Sequence, residues 1–206
     1  YFHFCNQLLK KEPKKSNGRG LSSDAPCMVL FCSFEQIPTL IQAAEKHGFA
    51  NHIPLVFIKN YSGQVLKANM RIVGATEYGI VLYRDRLPKF RNDGKMIFNW
   101  MKWEKDRPEI PKCHPTQKVQ SVLRRLIEVF TDPGDVVIDP VAGSGSTLRA
   151  ARDLGRNSYG FEIYKPFYQK AINEMLNENY SEYAMRQADK ETGQINIFDI
   201  GGVTDD

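Results

Sequence analysis

Apolar and polar positions along the chain alternate with two different periods, and the changes of period mark its elements. Val136, Val137 and Ile138 form a β-branched run closed by Asp139-Pro140, the pattern of a strand buried on both faces. From Ser146 the period lengthens. Leu148, Ala151 and Leu154 recur every three residues on one face, Arg149, Arg152 and Asp153 turn outward, and Gly155-Arg156-Asn157 stops the helix. Ser158 to Phe161 leads through a second strand to Glu162. Strand, Gly-rich turn, helix and strand make the unit of a parallel sheet.

The same reading upstream predicts the end of a helix over residues 1–9 and a Lys/Ser/Gly-rich loop from Lys10 to Asp24. It predicts strands at 28–32, Ile53 to Ile58 and Glu77 to Tyr83, with a helix from Glu35 to Lys46 that ends at Gly48. A helix from Val119 to Phe130 and the turn Asp132-Pro133-Gly134-Asp135 precede the strand at Val136. No internal repeat or extended low-complexity segment is present.

Composition bounds the answer. With 206 residues, 42% of them hydrophobic, the chain suits one domain with a small insertion. No apolar run approaches the roughly 20 residues of a membrane span, and no signal peptide is visible, so the expected location is cytoplasmic. Cys5, Cys27, Cys32 and Cys113 lack metal-ligand spacing and read as reduced thiols, Cys32 as a small core residue. No metal is expected. His3, His47 and His52 have no evident catalytic partner.

The stretch from Asp139 to Glu162 narrows the ligand. A phosphate-binding P-loop needs Lys directly before Ser or Thr, and Gly143-Ser144-Gly145-Ser146-Thr147 has none. A dinucleotide site wants a third glycine where Leu148 stands. A nucleoside without phosphate remains, and S-adenosylmethionine (SAM) fits. Asp139 can meet its ammonium, and Glu162, 23 positions on at the next strand's tip, can accept both ribose hydroxyls. Hydrogen bonds to a charged acceptor are worth roughly 1.5 to 3 kcal/mol each. An ordinary strand-helix-strand turn with unemployed carboxylates is the competing reading.

His114-Pro115-Thr116-Gln117-Lys118 stands immediately before the helix at 119–130. Taken alone it is an extended entry with Thr116 as N-cap. Paired with the Asp-Pro and Ala-Gly-Ser-Gly segment in this order, it resembles the amino-group DNA methyltransferases, which act on adenine N6 or cytosine N4, in the permuted β-class arrangement. The resemblance covers about residues 28–176 and is strongest over 113–171. It implies an α/β fold of the SAM-dependent methyltransferase (Rossmann-like) type, a doubly wound mostly parallel sheet with a small target-recognition insertion. It also implies SAM contacts at Thr116, Gln117, Lys118, Asp139, Pro140, Ala142, Gly143, Ser144, Gly145, Ser146, Thr147 and Glu162. The expected divisions are 1–59 for the catalytic half, 60–112 for DNA target recognition, 113–176 for SAM binding and 177–206 as an acidic tail.

Charge supports the second division. Residues 60–112 hold 11 Lys and Arg against 6 acids, a balance of +5 in a chain of +4, so the remainder sums to −1. Phe90, Phe98, Trp100 and Trp103 interleave with the cations, a mixture suited to phosphate contact plus base stacking on double-stranded DNA. The candidate DNA contacts are Lys67, Arg71, Arg84, Arg86, Lys89 and Arg91. A solvated face around a small aromatic core is the competing reading.

The family's catalytic tetrapeptide, [DNS]PP[YF], occurs nowhere in the 206 residues. In this order it would precede the helix ending near Leu9, so the catalytic strand is expected outside this stretch, and the catalytic residues are not named. The resemblance implies a base extruded from the duplex and in-line methyl transfer to its exocyclic nitrogen, adenine N6 being favoured and cytosine N4 the alternative. A non-catalytic SAM- or DNA-binding partner subunit is the second alternative, and a homodimer, a free-standing enzyme and a restriction system all stay open. Residues 177–206 carry seven acids against two bases and include Gln194-Ile195-Asn196-Ile197-Phe198, which is similar to a sliding-clamp binding peptide or, alternatively, forms a last edge strand.

Overall fold

A computed structural model describes residues 1–13, 24–61, the main chain of 64–67, and 72–177. Strands β1 (Met28–Cys32), β2 (Asn51–Lys59), β5 (Thr76–Tyr83) and β6 (Trp100–Trp103) form one sheet in the order β1-β5-β2-β6. Strands β3 (Gln64–Lys67) and β4 (Ile72–Gly74) make a hairpin between β2 and β5. Strands β7 (Val136–Asp139) and β8 (Asn157–Gly160) pair in parallel. Among the described residues the α-helices are α1 (Phe2–Leu8), α2 (Ile37–Glu45), α3 (Gln120–Phe130), α4 (Ser146–Asp153) and α5 (Lys165–Lys170).

Cross-pairing and ion pairs orient the two sheet pieces. β5 runs antiparallel to both β1 and β2, while β2 and β6 are parallel, so β1, β2 and β6 point one way. Lys89, beyond the end of β5, binds Asp132 (2.9 Å) and Asp135 just before β7. The amino ends of β1, β2 and β7 therefore share one rim. The carboxyl ends of β1, β2, β7 and β8 share the other, and among the described strands of these two pieces only β5 runs against them, as the expected mostly parallel arrangement requires.

Helices cover both faces. On one side Phe2, Ala44, Phe49, Ile80 and Leu82 form a core in which α1 and α2 pack on β1 and β5. On the other, α3 carries two apolar stripes: Val122 and Leu126 pack against Leu55, Phe57, Val81 and Trp103, and Leu123 and Ile127 pack against Ala150 and Ala151 of α4. α3 thus lies under both sheet pieces. Gly79 makes room for this packing, since a Cβ there would stand 3.1 Å from the Phe57 ring and 3.2 Å from the Leu30 carbonyl.

β1 and β7 are not paired with each other among the described residues. A cavity of 1070 Å³ separates them, lined by residues 27–31 and 136–141, with Leu123, Leu126 and Ile127 of α3 and Cys5 and Leu8 of α1 among its other walls. Strand edges carry rows of main-chain donors and acceptors, so two facing edges over an apolar floor have the chemistry to receive a further strand.

The interval 60–112 is not a separate lobe. It supplies β5, flanked by β1 and β2, and β6, whose Trp103 is buried against Phe31 and Phe57. No described helix is long and apolar enough to cross a membrane.

The amino rim is tied by charge. Arg91 holds Asp132 through two hydrogen bonds, 2.7 and 2.9 Å, and reaches Asp24 at 2.9 Å. Arg91, then Lys89, hold the Asp132 carboxyl well below the usual carboxylate range. A carboxyl depressed on folding stabilises above its unfolded value, about 3.9, and that stability is lost as the pH falls toward the folded value. Melting temperature should therefore fall below about pH 4, and Asp132→Asn should flatten that fall, as thermal melts from pH 2 to 7 would show.

Candidate functional site

At the carboxyl rim, β7 ends in Asp139 and the chain turns through 140–145 into α4. The turn is held by its own main chain. Ala142 N–H donates to the Phe161 carbonyl (2.8 Å), Phe161 N–H to the Asp139 carbonyl (3.0 Å), and Val141 N–H to Asp139 Oδ1 (3.1 Å). Gly143 (φ 51°) and Gly145 (φ 74°) sit in the left-handed region, which L side chains enter only at a cost. A Cβ on Gly143 would face the His114 ring at 3.6 Å, and one on Gly145 would press on Ala171 at 3.2 Å. Ser144 and Ser146 are buried, and Ser146 N–H donates to Ser144 Oγ (3.3 Å).

Glu162 lies just past β8. Its carboxylate accepts the N–H of Gly143 (2.9 Å) on one oxygen and that of Tyr164 (2.7 Å) on the other, tying the two turns together. A carboxylate has about four acceptor sites, so two remain for a ligand. Beside it, Pro140, Val141, Gly160, Phe161, Ile163 and Tyr168 line a second cavity of 430 Å³. Gly160 allows β8 to lie close on α4, because a Cβ there would meet Leu148 at 2.8 Å.

The loop 113–119 crosses this rim. His114 packs edge-on against Phe167 (centroids 4.2 Å apart), which in turn meets Tyr164 (5.0 Å). Thr116 points its hydroxyl and N–H at His114 Nδ1, 3.1 and 3.2 Å away. The Gln117 amide braces its own loop, accepting from Cys113 N–H and donating to the Pro111 carbonyl, both at 3.0 Å. Lys118 turns toward Glu77 of β5, 3.7 Å away. Thr116 is not the helix cap. α3 begins at Gln120, whose N–H is met by the distant Asp106 at 2.7 Å, a carboxyl that burial pushes up although this hydrogen bond opposes it. Cys113 is buried and pushed up to about 11, by burial and then by Glu174.

The sequence-named residues converge. Thr116, Gln117, Lys118, Asp139, Pro140, Ala142, Gly143, Ser144, Ser146, Thr147 and Glu162 all line the 1070 Å³ cavity, while Gly145 shapes its turn from behind. Two segments more than 20 residues apart in the chain thus meet at one rim over a Gly-rich turn. The profile of the DNA methylase family, N6- and N4-acting, matches residues 17–174.

The chain belongs to the DNA methylase family. A DNA adenine methyltransferase of Escherichia coli (strain K12), YhdJ, is 26% identical over 207 residues, 93% of this chain and 70% of YhdJ. The methylase-like protein YubD of the same organism is 32% identical over 165 residues, 80% of this chain, and the match spans 64% of YubD's length. The structure of M1.HpyAVI in complex with SAM matches with a TM-score of 0.62 and 30% identity over 73% of this chain and 74% of that one. The cytosine-N4-specific PvuII DNA methyltransferase has a TM-score of 0.60 at 16% identity, covering 82% of this chain and 71% of its own, a likeness of fold. The methyltransferase fold expected from the sequence is the one observed.

The residues named for DNA contact divide between the two rims. Lys67 lies on the β3–β4 hairpin at the carboxyl rim, its side chain outside the described residues, as is Arg71. Arg84, Arg86, Lys89 and Arg91 follow β5 to the amino rim. There Arg84 donates to Asn6 (3.3 Å) and the Lys10 carbonyl, Arg86 N–H donates to Glu12 (3.1 Å), and Lys89 and Arg91 hold the aspartates. Trp103 is buried, whereas Phe98 and Trp100 stack in the open at 5.8 Å. Sequence reasoning passed over Phe161, Ile163, Tyr168 and Phe167. Their signal was the aromatic run around Glu162, and only the fold shows which of them face the cavities.

Proposed function

We propose that this chain carries the SAM-binding half of an amino-group DNA methyltransferase acting on double-stranded DNA. The meeting of residues 114–118, the 139–147 turn and Glu162 on one cavity carries that reading. The donor set suits the cofactor. Asp139 presents a carboxylate for the ammonium, Glu162 has two acceptor sites left for the ribose hydroxyls, and the 430 Å³ cavity beside it offers Val141, Phe161 and Ile163 to a flat purine. When bound, SAM supplies a methyl group on a sulfonium. The residues of this chain bind and orient it, with Gly143 and Gly145 letting the turn approach closely.

The catalytic groups are proposed to arrive on a further strand. The 206 residues contain no [DNS]PP[YF], and the cavity between β1 and β7 has an apolar floor and two strand edges that are unpaired among the described residues. A strand there, parallel to both neighbours, would end at the carboxyl rim beside Asp139. Its polar residue and adjacent carbonyl would then face the exocyclic nitrogen. Adenine is favoured as the target because YhdJ, similar along most of this chain, is an adenine enzyme.

DNA is proposed to lie along the carboxyl rim. There Lys105 sits over the Tyr61 ring (4.5 Å) and the β3–β4 hairpin projects. Contact through Arg84, Arg86, Lys89 or Arg91 would require a second surface, at the amino rim. The clamp-binding reading of 194–198 concerns residues outside those described and is tested by loss of clamp binding on Phe198→Ala; a homodimer is tested by sedimentation. Calorimetric titration of SAM into the chain tests the central proposal. Binding is expected, and no binding by a folded chain would end it.

A further inference from the structure

Lys118 is the one member of the 114–118 segment whose side chain turns to the other sheet piece. Its ammonium lies 3.7 Å from Glu77 Oε2, 5.2 Å from the centroid of Phe31 and 5.5 Å from that of Trp103. The other Glu77 oxygen accepts from Lys59 at 2.6 Å, and Lys59 also lies over Trp103, at 5.3 Å. One carboxylate on β5 is thus shared by two ammonium groups above an indole. All three side chains are between 17% and 31% exposed, so the pairs are partly shielded from water and more than a surface contact.

At its other end the loop is fixed to the opposite piece. His114 packs on Phe167 of α5, and a Cβ at Gly143 would touch its ring. β1 and β7 do not pair, so at this rim the loop bridges what the sheet leaves open. We infer that the 114–118 loop is a strap joining the two halves of the sheet, with Lys118 and Glu77 as its latch. Glu77, named by no motif, is then a positioning residue: it does not line the cavity, and it sets where Thr116 stands over it. The part of the inference that concerns cofactor affinity rests on the SAM reading proposed above; the latch itself rests on geometry alone.

The two roles open to Lys118 give different results. A latch needs both partners. Glu77→Gln and Lys118→Met should then each weaken SAM binding by roughly ten-fold, about 1.4 kcal/mol, the double variant should be no weaker than either single one, and Lys118→Arg should restore most of the affinity. Hydrogen exchange of the 113–119 amides without ligand should quicken in both single variants. Lys118→Met losing SAM while Glu77→Gln binds and exchanges as the parent does would make Lys118 a direct ligand contact and overturn the latch. Unchanged exchange in both variants would overturn it as well. If the parent chain fails to bind SAM, the cofactor reading fails, and exchange still decides the latch.

Discussion

Glu162→Ala should weaken SAM binding by at least a hundred-fold. Two hydrogen bonds from ribose hydroxyls to a charged acceptor are worth roughly 1.5 to 3 kcal/mol each, and the larger part of that is lost with the carboxylate. The variant also releases the N–H groups of Gly143 and Tyr164, so the turn loses its tie to the end of β8. Glu162→Gln separates the effects, since an amide keeps one acceptor oxygen and one of the two ties; an intermediate loss is expected. Asp139→Ala should act through a different end of the ligand. It removes the carboxylate proposed to meet the ammonium, and one hydrogen bond, from Val141. Calorimetry with melting curves of the free proteins checks all three. Parent-like affinity in Glu162→Ala would show that the ribose does not lie at the end of β8.

Methyl transfer by residues 1–206 alone should fall orders of magnitude below that of a form carrying a further strand. Proximity and orientation of nucleophile and methyl donor account for factors of roughly 10⁵ or more in effective concentration, and both depend on the groups proposed to lie on that strand. The comparison fuses, ahead of Tyr1, an apolar strand ending in Asn-Pro-Pro-Tyr, with labelled SAM and unmethylated DNA as substrates. Transfer by the fused form, with tighter packing of the cavity visible as a higher melting temperature, is the expected result. Full-rate transfer by the 206 residues alone would place the catalytic groups within them and remove the strand proposal.

Much of this was legible from local pattern. The β-branched run at 136–138 became β7, and the apolar residues of 120–130 became a helix with two buried stripes. Local chemistry also marked Asp139, the 143–147 turn and Glu162, because a turn that needs positive φ at two positions writes its glycines into the sequence. Where pattern and fold diverge, the cause lies in contacts between distant segments. The charge excess of 60–112 marked a candidate region for DNA contact, with a solvated face as the competing reading. Arg84 to Arg91 sit beyond the end of an antiparallel strand, which carries them to the rim opposite the 140–145 turn, where Lys89 and Arg91 pair with Asp132 and Lys89 also with Asp135. Trp103 looked like a stacking residue and is core, because β6 pairs with β2 over Phe57.

The sequence by itself determined the strand-turn-helix-strand unit, the family and the glycine-bearing turn between β7 and α4, since each of these is written in spacings of a few residues. Only the tertiary structure decided that β1 and β7 face each other across an open cavity, that the basic residues divide between two rims, and that Lys118 reaches Glu77 rather than the turn. Those outcomes depend on strand order and direction, and pairing partners 18 to 54 residues apart leave no periodic trace in the chain.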